Sequence, residues 1–136
     1  MNIDNYYEYP AGVALSVFLN GLREKKIMAS ECMKCCHRRV PPRAHCPECF
    51  TTTIRYVEVK SVARVITYSR SPLTILKPSK TVMKTWIFAR FEETHGGILH
   101  LLDPVIEPKL NLRVKPVFQE NRVGSIWDIK MFTSLS

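Results

Sequence analysis

The chain has 136 residues, 46% of them apolar and 24% charged, the balance of a packed globular chain of one domain or two very small ones. Twenty Lys and Arg against twelve Asp and Glu give a net charge of +8, a bias toward anionic partners. The longest uncharged run, Tyr9 to Leu22, falls short of the roughly 20 apolar residues of a membrane helix, and no cationic segment or small-residue cleavage site brackets it. The expectation is a cytoplasmic chain with no signal peptide and no membrane partner.

Residues 1–10, with Tyr6, Tyr7, Tyr9 and Pro10, read as an aromatic arm. Ala11 to Lys26 reads as a helix, because Pro10 stands at its start and Leu15, Phe18, Leu19 and Leu22 recur at helical spacing. Its first three turns are apolar nearly all round, a pattern that serves either internal packing or docking on a partner.

All five cysteines fall in the next segment, Ile27 to Ile54. Cys32-Met33-Lys34-Cys35 and Cys46-Pro47-Glu48-Cys49 are two Cys-x-x-Cys pairs, and each two-residue spacer lets both sulfurs of a knuckle face one ion. Four soft thiolates suit zinc, which supplies folding energy to a small module, and rubredoxin-type iron uses the same donors. Disulfides fit less well, since the count is odd, and a thioredoxin-like motif would need a βαβ unit beside one pair. The metal ligands are therefore Cys32, Cys35, Cys46 and Cys49. Cys36 is a spare thiol or a substitute for Cys35, and the spacing favours Cys35. His37 and His45 read as surface residues. Cys36 and Phe50 occupy the places after each knuckle where a glycine often supplies positive φ. Ile27-Met28-Ala29 and Arg38-Arg39-Val40 would form the small ribbon, with Pro41-Pro42 stiffening the turn.

From Arg55 onward the pattern is β. Tyr56–Ser69, Thr81–Phe91, Ile98–Leu102, Leu112–Phe118 and Ile126–Phe132 read as five strands, the last with Trp127, Ile129 and Met131 on one face. Five antiparallel strands in about 80 residues point to the five-stranded OB-fold. The fold class is mainly β with an N-terminal helix, a rubredoxin-like zinc ribbon and then an OB-fold barrel. The layout is 1–26 arm and helix, 27–54 ribbon, 55–136 barrel. Between Glu58 and Glu92 the chain carries Lys60, Arg64, Arg70, Lys77, Lys80, Lys84 and Arg90 and no acid. That stretch is either a polyanion site, for nucleic acid, a phosphorylated cofactor or an acidic protein surface, or a solvated basic face.

The segment Phe18 to Thr52, FLNGLREKKIMASECMKCCHRRVPPRAHCPECFTT, strongly resembles the zinc-ribbon plus OB-fold proteins filed as "domain of unknown function 35". The matching features are Leu22-Arg23 at the helix end, the knuckle Cys32 to Cys36, Pro41-Pro42-Arg43, and Cys46 to Cys49. Val57-Glu58-Val59 and Ala63 to Ser69 look like the family's linker and first barrel strand. The resemblance implies a non-catalytic subunit that binds acyl-CoA or bridges thiolase and 3-hydroxy-3-methylglutaryl-CoA (HMG-CoA) synthase-type enzymes. CoA phosphates would then meet cations around the first barrel loop, and Arg70, Lys77, Lys80 and Lys84 are the candidates by charge and position.

Two other classes compete. A single-stranded nucleic-acid binder would stack bases on Tyr68, Trp86, Phe88 or Phe91. A catalyst lacks support, because the sequence shows no Ser-His-Asp set and no usefully spaced carboxylate pair, and Cys36-His37 are sequence neighbours with no pre-set geometry.

Overall fold

A computed structural model describes residues 10–52, 54–74 and 81–135, without the side chains of 10, 11, 71–74 and 81–83. The aromatic arm before Pro10 lies outside the described residues.

Helix α1 spans Pro10–Arg23. It stops three residues before the expected Lys26 because Lys25 turns left-handed (φ 62°). The Lys26 N–H then donates to Gly21 O (2.8 Å) and the Lys25 N–H to Leu22 O (3.1 Å), which satisfies the last carbonyls as a Schellman closure does. Ala14, Phe18 and Leu22, spaced four apart, are 2%, 4% and 0% exposed. This stripe packs on the first ribbon strand, so the face carrying Phe18 and Leu22 is core and not a docking surface. Val13 and Leu15 on the outer side remain about 40% exposed.

The ribbon sheet has β1 (Ile27–Cys32), β2 (Arg38–Val40), β3 (Ile54–Val59) and β6 (His95–Gly96) in the order β3-β1-β2-β6. β3 pairs with β1 along its whole length, from Ile27 opposite Val59 to Cys32 opposite Ile54. The strand expected over Tyr56–Ser69 is therefore two strands, and the expected 54/55 boundary falls inside β3. The ribbon takes residues through Val59, because Val57 and Val59 pack beside Ile27 and Ala29 in one cluster. β6 joins parallel to β2, Arg39 opposite His95 and Val40 opposite Gly96, and so ties the ribbon to the barrel. The close approach requires glycine: Gly96 has φ 83°, and a Cβ there would lie 2.9 Å from Val40 O.

The barrel consists of β4 (Ala63–Thr74), β5 (Thr81–Phe91), β7 (Ile98–Leu102), β8 (Arg113–Phe118) and β9 (Ile129–Ser134). They close in the ring β4-β5-β7-β9-β8, with β7 and β9 parallel and the other pairs antiparallel. The fold class is the one expected, a mainly β chain with one N-terminal helix, a ribbon and a closed five-stranded sheet. The last strand is shorter than expected. Ile126–Asp128 is a 3-10 turn, capped by Ser125 Oγ accepting from the Trp127 N–H (3.2 Å). Asp128 is buried and accepts from the N–H groups of Val123 (3.0 Å) and Gly124 (2.8 Å). That local satisfaction of a carboxylate outweighs the alternating pattern that would extend the strand. Trp127, Ile129 and Met131 do not share a face; Ile129 and Phe132 point inward instead.

A single core runs through all parts, joining Phe18, Leu22, Ile27 and Val40 to Val65, Ile87, Phe91, Val114 and Phe132.

Candidate metal centre

The four expected ligand cysteines converge. The Sγ atoms of Cys32, Cys35, Cys46 and Cys49 lie within 4.8 Å of one another, and Cys35 and Cys46 are 3.6 Å apart. A tetrahedral ion with metal–sulfur bonds of about 2.3 Å needs sulfurs about 3.8 Å apart, so the cluster fits one ion with little movement. The two knuckles repeat one hydrogen-bond pattern. The Cys32 N–H donates to His37 O (3.0 Å), and the Cys36 N–H returns to Cys32 O (2.9 Å). The Cys46 N–H donates to Thr51 O (3.0 Å), and the Phe50 N–H returns to Cys46 O (2.8 Å). The leading sulfurs accept amide hydrogens: Cys32 Sγ from Lys34 and Cys35 (3.4 Å each), Cys46 Sγ from Cys49 (3.5 Å).

This pattern needs a left-handed residue after each second cysteine. Cys36 (φ 65°) and Phe50 (φ 56°) both adopt it without being glycine. Cys36 is exposed and is not among the four converging sulfurs, whereas Cys35 is.

The amides divide the charge among the sulfurs. The Cys35 N–H, helped by that of Lys34, lowers the Cys32 thiol to about 7, and the Cys49 N–H lowers Cys46. Cys35 receives the His37 amide hydrogen bond, but burial and the neighbouring sulfurs outweigh it and push the thiol up to about 12. Cys49 is raised too, its hydrogen bond to Cys35 outweighed by burial and by the charge on Cys46. Two easily ionised thiols beside two reluctant ones form a site whose full ionisation calls for a cation.

His37 lies beside the cluster, with Nδ1 2.7 Å from Glu48 Oε2, while Arg39 Nη2 holds the other oxygen at 3.4 Å. His45 is exposed. Glu31, immediately before Cys32, is buried between Arg38 and Arg55. No sequence pattern singles it out.

The expected CoA cations are placed only in part. Lys77 and Lys80 lie outside the described residues. Arg70 and Lys84 stand one register step apart on the β4–β5 hairpin, opposite Thr85 and Ser71 respectively. Arg70 Nη1 is 4.0 Å from Glu107 Oε2. Of the expected stacking aromatics, Phe91 is core at 1% exposure, because it packs against Phe132 inside the barrel. Tyr68 is 45% exposed, and Trp86 and Phe88 are half-buried. Among the described residues, no helix is long and apolar enough to cross a membrane.

The family model described as "ChsH2, rubredoxin-like zinc ribbon domain" matches residues 19–55, the segment that builds this centre. No curated sequence matches the chain at a significant level. Among solved structures, the chain is similar to a protein of unknown function from the DUF35 family of Sulfolobus solfataricus. The identity is 28%, the TM-score 0.69, and the match covers 96% of this chain and 90% of that one. It also shares its fold with a chain of the Ltp2-ChsH2(DUF35) aldolase, at 15% identity and a TM-score of 0.65, over 87% of this chain and 91% of that one. Taken with the ribbon that the four cysteines build, these likenesses support assignment of the chain to the DUF35 family.

Proposed function

We propose that this protein is a non-catalytic accessory subunit that docks on a thiolase-, aldolase- or HMG-CoA synthase-type enzyme and helps to hold its acyl-CoA. On this reading the barrel is an OB-fold, and zinc fills the four-cysteine site. Arg70, Lys77, Lys80 and Lys84 would meet CoA phosphates.

The observation that carries the docking part is an outward apolar block on the barrel. Phe88 faces Leu99 and Trp86 faces Leu101 across β5 and β7, while their neighbours Ile87, Ala89, Ile98 and His100 point inward. Leu99 is 62% exposed, and Trp127, edge-on to Trp86 at 6.4 Å, is 52% exposed. Contiguous aromatic and aliphatic side chains on a sheet face are the composition of an interface centre. The likeness to a chain of an aldolase assembly supports the same reading.

The test is capture of the tagged protein from its native source at native expression levels. Recovery of a thiolase-like enzyme with the wild type and its loss with Leu99→Asp, at unchanged melting temperature, is the expected result. Recovery of the enzyme with both would remove the block from the interface, and recovery of nucleic acid instead would overturn the reading.

A further inference from the structure

Three arginines stand in one row across the outer face of the barrel. Arg64 on β4 is the register partner of Arg90 on β5 and of Arg113 on β8. All three are exposed, and the residues beside them, Ala63, Val65, Ala89, Phe91 and Val114, are buried. Like charges directly opposite one another destabilise a sheet, so this row costs stability unless something offsets it. Arg113 is offset by Glu92, with Nη2 3.1 Å from Oε1. Among the described residues Arg90 uses only Nε, which donates to Gly96 O at 2.8 Å. Arg64 makes no hydrogen bond or ion pair among the described residues.

The two underused guanidiniums open onto one cleft of about 410 Å3, whose lining also includes Ile66, Phe91 and Thr94. Glu92 and Glu93 line it as well. The charge of Glu92 is taken up by Arg113, which leaves Glu93, exposed in a left-handed turn (φ 61°), as the opposing acid.

We propose that Arg64 and Arg90 form an anion site that takes a phosphate group, with the apolar part of the cleft covering the body of a phosphate ester. The inference stands whether or not the acyl-CoA reading holds, since it rests on the register, the unpaired guanidinium and the cleft. Planar guanidiniums with free Nη donors suit the tetrahedral oxygens of phosphate, and an anion between them removes the repulsion along the row.

The experiment is thermal denaturation and calorimetric titration of the full chain, with inorganic phosphate and adenosine 3′,5′-bisphosphate as separate probes. Both should bind saturably, and the ester more tightly because the cleft covers its nucleoside; equal affinity would overturn the part of the proposal that covers an ester body. Arg64→Gln and Arg90→Gln should each weaken binding about tenfold, the cost of one charge-assisted hydrogen-bonding group. Arg64→Gln should also raise the melting temperature in phosphate-free buffer, and Glu93→Gln should tighten binding. Absence of saturable binding, or equal stabilisation of wild type and Arg64→Gln by phosphate, would overturn the proposal.

Discussion

Arg38 Nε lies 2.7 Å from Glu31 Oε2, and the two residues face each other in register across β1 and β2. From the other side, Arg55 on β3 reaches Oε1, again in register, with its Nε at 2.5 Å. One buried carboxylate thus stitches three strands one residue ahead of Cys32, the first sulfur of the cluster. Arg38 first, then Arg55, hold its carboxyl below the ordinary 4.5. The native state therefore binds fewer protons than the unfolded chain, so the contribution is complete above the ordinary value and is lost as pH falls through the lowered one. Glu31→Gln should weaken the ribbon at neutral pH and flatten the acid limb of the stability profile. Urea unfolding of both proteins at pH values around 4.5 checks this. Parallel profiles would mean that the pair contributes nothing.

Metal removal should act unevenly. Cys32 ends a strand whose other end, Ile27 and Ala29, lies in the shared core, whereas Cys46 and Cys49 sit in a segment with no strand pairing. Metal binding and folding are coupled where the ligands lack other support. Chelation, or Cys46→Ser, should abolish amide protection in residues 32–37 and 46–51 and leave that of the barrel strands unchanged. Hydrogen exchange resolved by residue is the readout. Global unfolding on chelation would show that the core depends on the centre.

Phe50 is 82% exposed yet held at φ 56°. A left-handed conformation costs a non-glycine residue roughly 1–2 kcal/mol, and glycine at the same place costs about 0.5–1 kcal/mol in unfolded-state entropy. Phe50→Gly should therefore stabilise the metal-loaded protein by about 0.5–1 kcal/mol. An unchanged or lower unfolding midpoint would place compensating contacts on the Phe50 ring.

Much of this was legible in the sequence because the signals are short-range. Two Cys-x-x-Cys pairs fix their own ligands, and Leu15, Phe18, Leu19 and Leu22 announce a helix by spacing alone. The helix's role was not legible, since whether Phe18 and Leu22 are buried depends on Ile27 and Ala29 packing against them. Register was hidden for a similar reason. Arg64, Arg90 and Arg113 are far apart in the chain, and only the strand alignment sets them side by side. The alternation expected over Ile126–Phe132 likewise hides the hydrogen bonds that Asp128 accepts from the Val123 and Gly124 amides, which make it a turn residue.

His100 shows the same long-range dependence and gives a pH prediction. It lies inside the barrel at 1% exposure, edge-on to Trp127 (5.0 Å) and Phe132 (5.9 Å). Nδ1 accepts the Leu101 N–H (2.8 Å), so the proton of the neutral ring belongs on Nε2, 3.2 Å from Ile126 O. A second proton would have to displace the Leu101 hydrogen bond in an apolar surround. Burial accordingly lowers the pKa of His100 below the ordinary 6.5, despite the Ile126 carbonyl. Below that value the unfolded chain takes up a proton that the native state refuses. Stability is then level above 6.5 with respect to this group, and it declines as pH falls toward the lowered value, by at most about 1.4 kcal/mol per pH unit. His100→Gln retains a donor for Ile126 and does not titrate. It should lose some stability at pH 7.5 and show a flatter decline between pH 6.5 and 5 in urea unfolding. A decline as steep as that of the wild type would assign the titration to another group.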